Sequence, residues 1–172
     1  MKRVIFFFMG ISLFSLMGMA VFAQVDSDIR KHPSCKYCGM DRKQFAYSRM
    51  FVECEDGSTG GTCSLHCMAI ELALQIDKTP TAIQVGDYLT QTLIDADKAI
   101  WVVGGDKPGV MTRRAKWAFQ SKEKAERFIK EHGGALVNFE DAMKNAYEDM
   151  YADTKQIRER KKMRKMRMEQ KK

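Results

Sequence analysis

The sequence lacks the residue patterns on which most enzymes depend. Its 172 residues contain no Ser-His-Asp set, no glycine-rich phosphate-binding loop and no convincing pair of carboxylates. These absences argue against a catalytic role, so we predict a protein that is not an enzyme.

Cysteine is absent from the first 34 residues, where bacterial lipoproteins carry the cysteine of their lipid anchor. The segment MKRVIFFFMGISLFSLMGMAVFAQ instead has two basic residues, an apolar stretch over residues 4–22 and a small-residue end at Ala23. This pattern predicts a signal peptide, residues 1–23, that is cleaved after Ala23 and exports the protein. An uncleaved membrane anchor is the alternative, because about 20 apolar residues are enough to span a bilayer.

Most of the chain's basic surplus lies at its C-terminal end. The net charge of +7 is made up of +2 in residues 1–23, −3 in residues 24–154 and +8 in residues 155–172, KQIRERKKMRKMRMEQKK. We therefore predict no nucleic-acid partner. The basic end is expected to be a solvated helix or tail whose contacts are an anionic membrane surface or an acidic protein.

All five cysteines lie in one short stretch, at positions Cys35, Cys38, Cys54, Cys63 and Cys67. In an exported protein such crowding ordinarily indicates disulfides. However, the number is odd, and a body of about 130 residues can bury a core without covalent staples. Disulfides are therefore not required, and a metal site or a redox pair remains open at this point.

Hydrophobic patterns predict mixed strands and helices. YSRMFVEC alternates like a strand and ends at an Asp56-Gly57 turn, and STGGT returns toward a helix beginning at CSLHC. That helix places Cys63 and Cys67 one turn apart, and two apolar stripes that reach Leu74 and Ile76 predict that it is well buried. Met50 and Met68 share these patterns with aliphatic residues and are predicted to be core residues.

A second block follows the break at Thr79-Pro80. AIQVGDYLT, KAIWVVGGD and WAFQ read as strands, SKEKAERFIKEH as a helix that ends at Gly133-Gly134, ALVNF as a strand, and a last helix starts near Glu140. The predicted class is α+β, with two small ββα-type halves with antiparallel sheets, followed by a C-terminal basic helix or tail. The predicted segments are a linker (24–34), a Cys-rich metal-binding half (35–79), a second α+β half (80–142) and the helix with its tail (143–172).

The stretch CKYCGM combines a Cys35-x-x-Cys38 pair with Met40. The hairpin returns the chain to Cys63, His66 and Cys67, with 24 residues between Cys38 and Cys63, so these six side chains are candidate metal ligands. Thiolate together with thioether selects a soft ion, and Cu(I) is the physiological one, whereas Zn(II) prefers four thiolate or imidazole ligands. A structural zinc-binding interaction domain is therefore one alternative. A thiol oxidoreductase is another, although a redox CxxC normally opens a helix after a strand, and this one precedes Gly39.

Several blocks of the chain resemble the NosL family of exported copper-binding accessory proteins. They are CKYCGM, FVECEDGSTGG, the CSLHC helix start, DYLTQTLIDADKAIWVVGGD and WAFQSKEKAERFIKEHGGALVNFED, which together span residues 33–142. The resemblance implies Cu(I) binding through Cys38 and Met40, with Met111 as a further ligand. It also implies delivery of copper to nitrous oxide reductase in the periplasm, with a membrane transporter complex as a further partner.

Two features depart from that family pattern, and one element resembles a second group. The lipid-anchor cysteine is missing, and Met111 lies in PGVMTRRAKWAF in place of the usual Pro-Met-Gly. CSLHC also resembles the CxxxC element of treble-clef-like metal-trafficking fingers, in which an earlier cysteine, here Cys38, completes the site. Because Cys38 and Met40 follow the linker, we expect their segment to swing without unfolding a core.

Overall fold

The computed structural model describes residues 27–170. The predicted signal peptide and its cleavage site lie outside this range. Within it the chain forms four helices, α1 (Ser27–Lys31), α2 (Leu65–Leu74), α3 (Lys122–His132) and α4 (Phe139–Glu169). Its seven strands are β1 (Met50–Cys54), β2 (Thr59–Thr62), β3 (Pro80–Gly86), β4 (Leu93–Asp95), β5 (Ile100–Val103), β6 (Lys116–Phe119) and β7 (Ala135–Val137).

Two antiparallel sheets confirm the predicted α+β class. The larger sheet has the order β2-β1-β3-β4 and the smaller one β6-β5-β7. The predicted turn between β1 and β2 forms at Gly57, whose φ of 76° is a conformation that favours glycine. None of the helices within residues 27–170 is long and apolar enough to cross a membrane.

The division between the two sheets differs from the predicted boundary at Thr79-Pro80. β3 pairs along the whole of β1, with Met50 opposite Val85 and Phe51 opposite Gln84, and β4 pairs with β3. β3 and β4 therefore belong to the first sheet, because main-chain pairing with β1 overrides the local break signal. The second sheet starts only at β5.

One core joins the two sheets to α2 and α4. Met50 from β1 and Met68 from α2 are fully buried there, beside Trp101 from β5 and Ala142 from α4. Both methionines are core residues, as predicted. The predicted burial of the end of α2 is wrong, since Leu74 is 68% and Ile76 91% exposed. The helix ends at Leu74, so nothing packs over those two side chains.

The predicted linker is also wrong over residues 27–34. Residues 27–31 form α1, and its Asp28 is buried between Arg42 and Arg49, at 2.7 Å and 2.9 Å. The segment that leads into CKYCGM is thus fastened to the body by a buried ion cluster. The expectation of a freely swinging arm does not hold.

The C-terminal helix α4 has two parts. Its first half packs on α2 and β5 and buries Ala142, Ala146 and Asp153, and its start is capped by Asn138, whose side chain accepts the Asp141 N–H at 2.8 Å. The second half, from residue 158 to 170, is exposed throughout. The predicted basic end is therefore a solvated helix.

Candidate metal centre

A tight turn presents the first pair of cysteines. The Cys35 N–H donates to the Met40 carbonyl at 2.9 Å, and the Gly39 N–H donates to the Cys35 carbonyl at 2.8 Å. Gly39 adopts a φ of 74°, which lets the chain reverse between Cys38 and Met40. The turn therefore brings Cys35 and Cys38 together.

The second pair comes from the start of α2. Cys63 lies just before the helix and Cys67 in its first turn, and both are buried. The ligand atoms of Cys35, Cys38, Cys63 and Cys67 all lie within 4.8 Å of one another. Cys38 Sγ is 3.4 Å from Cys63 Sγ, which is 3.8 Å from Cys67 Sγ. All five cysteines are free thiols, and Cys54 is outside this four-cysteine cluster.

The thiols of the cluster influence one another's ionisation. Hydrogen bonds from Cys38, Cys63 and Cys67 lower the pKa of Cys35, because they stabilise its thiolate. Hydrogen bonds with Cys35 and Cys38, together with burial, raise the pKa of Cys63 and of Cys67. The pKa of Cys38 is lowered as well, because hydrogen bonds from Cys63 and Cys67 outweigh the opposing effect of its hydrogen bond with Cys35. Cys35 and Cys38 are therefore the members of the cluster that ionise most readily, and binding of a metal ion would release the protons of the remaining thiols.

Arg42 holds the cysteine turn against the first sheet. Its fully buried guanidinium donates to the carbonyls of Asp28, His32, Met50 and Thr62, and to the Asp28 carboxylate. This role is not evident from the sequence, because an arginine in MDRKQF resembles a surface cation. The proximity of Asp28, fourteen positions earlier, gave no local signal.

Glu71 connects the same turn to α2. Its buried carboxylate accepts the Tyr37 hydroxyl at 2.6 Å and Lys36 Nζ at 2.9 Å. Both donors lie inside the Cys35-Lys36-Tyr37-Cys38 turn, so this carboxylate fixes the turn relative to the helix that carries Cys67. Burial and then Glu71 raise the pKa of Tyr37 well above its usual range.

An open cleft of about 580 Å³ borders the cluster. Cys38, Met40 and Met111 line it, and its aromatic wall consists of Phe45, Tyr47, Tyr88 and Trp117. The structure thus brings Met111, 71 positions after Met40, to the same space as the Cys-Gly-Met segment. Cys35, Cys63 and Cys67 do not line the cleft.

Met111 has an unusual backbone conformation. Its φ is 59°, in the left-handed region that side chains rarely adopt outside functional or over-determined sites. Contacts with α4 hold the loop in place: the Arg113 N–H donates to Asp153 Oδ1 at 3.0 Å, and Arg114 Nε donates to Asp149 Oδ2 at 2.9 Å. α4 thereby positions the Met111 side of the cleft.

His66 is not brought to the cluster. It is buried, 2% exposed, and its Nδ1 lies 3.6 Å from Asp153 Oδ2. Burial lowers its pKa, against the opposing charge of Asp153. The structure thus collects six of the seven predicted ligand residues around the cluster and its cleft, and places His66 between α2 and α4 instead. The predicted role of each residue in binding a metal remains a prediction.

Comparisons with known proteins agree with this architecture. The family model NosL matches residues 26–147, more than two thirds of the chain. The crystal structure of the copper chaperone NosL from Shewanella denitrificans is 23% identical, with a TM-score of 0.50 over 62% of this chain and 87% of that one, which shows a shared fold. A comparison with curated protein sequences finds no match. Since the family model covers most of the chain, the protein belongs to the NosL family.

Proposed function

We propose that this protein is an exported Cu(I) carrier that passes copper to a copper enzyme. The observation that carries the proposal is the convergence of Cys38, Met40 and Met111 on one open cleft. One thiol and two thioethers are soft donors, a set that suits Cu(I) and that hard divalent ions avoid. Here copper is the cargo, and the three side chains are its proposed ligands.

The open cleft suits transfer better than storage. Cys38 is half-buried, and Met40 and Met111 are also partly exposed, so a recipient's side chains can approach an ion held between them. Few ligands at an accessible site permit exchange one ligand at a time, without release of a free ion. A closed site with four ligands would instead retain its metal.

A thiol oxidoreductase is less consistent with the structure. Cys35 is buried at 1% exposure, and the CxxC forms a turn followed by Gly39 rather than the start of a helix. Redox motifs of this kind place the first cysteine at an exposed helix N-terminus. The geometry therefore favours metal handling over dithiol exchange.

The recipient and the compartment belong to this proposal. Membership of the NosL family and the similarity to a copper chaperone support delivery of Cu(I) in the periplasm, with nitrous oxide reductase as the recipient. A membrane transporter complex is the proposed source of the ion. An N-terminal signal peptide, predicted from residues 1–23, would provide the export.

Anaerobic titration of the reduced protein against a coloured Cu(I) chelator tests the binding site. We expect Met40→Leu and Met111→Leu each to weaken Cu(I) binding about tenfold or more, equivalent to about 1.4 kcal/mol. Leucine keeps the apolar volume and removes only the sulfur donor. Met163→Leu, on the exposed end of α4, is the matched control and should bind like the parent protein.

Incubation of the copper-loaded carrier with apo nitrous oxide reductase tests delivery. Copper should appear in the enzyme, and Met40→Leu should transfer less at the same loading concentration. Unchanged Cu(I) affinity in both Met40→Leu and Met111→Leu would contradict the proposal that copper binds in the cleft. Tight binding without any transfer would show a copper-binding protein that is not a carrier for this enzyme.

A further inference from the structure

The proposed carrier leaves most of the four-cysteine cluster without a role. Of its members only Cys38 lines the cleft, whereas Cys35, Cys63 and Cys67 are buried behind it. We propose that these four cysteines hold a resident tetrahedral divalent ion of the zinc class, a second metal site that is separate from the copper cargo. This inference goes beyond the proposed function. The two sites share one residue, Cys38, which belongs to the cluster and also lines the cleft.

The distances between the sulfur atoms suit such an ion. Zinc bonds to thiolates at about 2.3 Å in tetrahedral geometry, which places neighbouring sulfurs about 3.8 Å apart. Here the Cys38–Cys63 and Cys63–Cys67 pairs are 3.4 Å and 3.8 Å apart, and all four sulfurs lie within 4.8 Å. An ion therefore fits between them with side-chain adjustments alone.

The surroundings of the cluster are those of a closed site. Three of the four cysteines are at most 1% exposed, so no open coordination position faces solvent there. Apart from one another, the sulfurs have a single polar side-chain contact within residues 27–170, Ser64 Oγ at 3.8 Å from Cys63 Sγ. Four protein ligands and no open position are the features of a structural metal site.

Rigid supports on both sides keep the cluster assembled. Arg42 fixes the turn that carries Cys35 and Cys38, and Glu71 joins that turn to the helix that carries Cys67. A resident ion would link the same two segments, residues 35–38 and 63–67, through four further bonds. Its expected role is to stabilise the wall on which the copper cleft is built.

Cobalt substitution tests this proposal. Co(II) in a tetrahedral thiolate site has intense visible absorption, so one equivalent added to the reduced, metal-free protein should produce that spectrum. Cys67→Ser removes a cluster ligand that does not line the cleft and should abolish the spectrum. Met111→Leu alters only the cleft and Cys54→Ser a cysteine outside the cluster, and both should retain it.

X-ray absorption of the zinc-loaded parent protein provides a measurement that needs no variant. It should show four sulfur neighbours at about 2.3 Å. Fewer sulfurs, a cobalt spectrum that persists in Cys67→Ser, or no binding of Co(II) would each overturn the proposal. So would expulsion of cobalt by the first equivalent of Cu(I), since the thiolates would then be the copper site itself.

These outcomes are separable from failure of the carrier proposal. Cu(I) affinity of Met40→Leu and Met111→Leu reports on the cleft, whereas the cobalt spectrum and the sulfur count report on the cluster. Loss of the cluster ion with intact copper binding would contradict only the resident ion. Intact cobalt binding with unchanged Cu(I) affinity in the cleft variants would contradict only the carrier site.

A second inference concerns the mouth of the cleft and rests on the proposed function. Lys107 and three residues of α4, Arg160, Lys161 and Arg164, line the cleft beside its sulfur ligands. Within residues 27–170 these four side chains form no salt bridge, whereas the cations nearer the body, Arg114 and Lys116, are paired with Asp149. These four residues form a cationic rim of the cleft, whose positive charge no salt bridge within residues 27–170 neutralises.

From this rim we infer that the partner docks through an acidic protein surface around its copper-entry site. A recipient has to approach the cleft to exchange ligands, and opposite charge steers that approach and fixes its orientation. The cations lie at the opening itself, so the complementary charges must surround the recipient's acceptor residues. A membrane surface cannot enter a cleft of this kind, which is why we favour a protein.

Poly-L-glutamate serves as the probe for this rim. It should bind the parent protein in low salt, and the variant Arg160→Gln/Lys161→Gln/Arg164→Gln should bind about tenfold more weakly. The control Lys155→Gln/Arg158→Gln/Lys162→Gln removes the same charge from positions that the helical period of 100° per residue places on the other side of α4. It should lose much less affinity.

The competing explanations give different results. Equal losses in the two triple variants would show a response to net charge and overturn the docking surface. Binding to phosphatidylglycerol vesicles with no preference of poly-L-glutamate for the rim would assign the helix to membranes instead. Because binding is measured on metal-free protein, it does not depend on whether copper occupies the cleft.

Discussion

At the scale of single residues, the buried ion cluster around Arg42 shows how the metal centre is held. Arg42 and Arg49 are at most 1% exposed, and Asp28 of the short helix α1 forms salt bridges with both. The two guanidinium groups also donate to main-chain carbonyls, among them those of Met50 and Gln91, and these contacts offset part of the cost of burying the charges. The cluster therefore makes the start of the described chain part of the support for the cysteine turn.

Replacing Asp28 by asparagine should be strongly destabilising. The change keeps the shape but leaves two buried guanidinium groups without their carboxylate, which costs about 3–5 kcal/mol for a broken buried pair. Urea unfolding followed by circular dichroism measures the loss. Asp97→Asn is the control, because Asp97 is exposed and forms no salt bridge within residues 27–170. A loss similar to that of the control would contradict the role of the cluster.

Two substitutions of Met111 should distinguish its effect on the stability of the fold from its effect on copper binding. Its left-handed backbone costs a residue with a side chain about 1 kcal/mol, a cost that glycine does not have. Met111→Gly is therefore expected to be as stable as the parent, or more stable by up to about 1 kcal/mol, while it loses Cu(I) affinity. Met111→Leu keeps the strain and loses only the sulfur. A marked destabilisation in the glycine variant would show that the side chain is mainly a packing residue.

At the scale of elements, α4 is the feature that connects the fold to the cleft. Its first half packs on α2 and β5, its acidic residues hold the Met111 loop, and its basic end borders the cleft. Asp149 is central to that contact, since it accepts from Lys116 at 2.6 Å and from Arg114 Nη2 at 2.8 Å. α4 therefore positions the Met111 side of the cleft and also supplies positive charge beside it.

The contribution of Asp149 should depend on pH. Partial burial opposes its ionisation, but hydrogen bonds from Arg114 and Lys116 outweigh this effect and lower its pKa. A lowered carboxylate pKa stabilises the folded state above the unfolded value of about 3.9 and ceases to do so as the pH falls through the folded value. The interaction is therefore fully present at pH 7.

The variant Asp149→Asn tests this dependence. At pH 7 we expect it to be less stable by about 1–3 kcal/mol, because buried Lys116 loses its carboxylate partner. Thermal melting from pH 7 to pH 2.5 should show the difference from the parent shrinking below about pH 4. If the difference in melting temperature stays constant through that range, the ionised form of Asp149 does not contribute to stability and does not hold the Met111 loop on α4.

At the scale of the whole molecule, the core between the two sheets, α2 and α4 is distinct from the second buried cluster, to which Val110 and Trp117 of the cleft belong. Met50, Met68, Trp101 and Ala142 join both sheets to α2 and α4, and none of them lines the cleft. The proposed copper ligands Cys38, Met40 and Met111 pack against the second cluster and are only partly buried. Loading and unloading of the cargo are therefore expected to leave the fold intact.

Removal of copper should leave circular dichroism unchanged. Loading with Cu(I) should raise the melting temperature only through the mass action of binding to the folded state. The comparison is made between copper-loaded protein and the same sample treated with a Cu(I)-specific chelator. A copper-free form that is unfolded would contradict a carrier and would point to a metal-dependent fold.

The sequence by itself determined the local elements and the chemical type of the site. Alternation in YSRMFVEC, the Asp56-Gly57 turn and the helix breaks at Gly133-Gly134 are local signals, and the elements β1, α3 and α4 formed where they were expected. The soft-donor character of CKYCGM is likewise a property of the residues themselves. Resemblance to the NosL family added Met111, which periodicity does not single out.

Only the tertiary structure decided which residues meet. β3 joined the first sheet because it pairs with β1, and residues 27–34 became a support because Asp28 is the partner of two buried arginines. His66 lies beside Asp153, a residue 87 positions later, whereas the four cysteines converge on one another. Such pairings depend on burial and on contacts between distant segments, which no local pattern encodes. For the same reason, only the folded chain shows that the basic end of α4 borders the cleft lined by Cys38, Met40 and Met111.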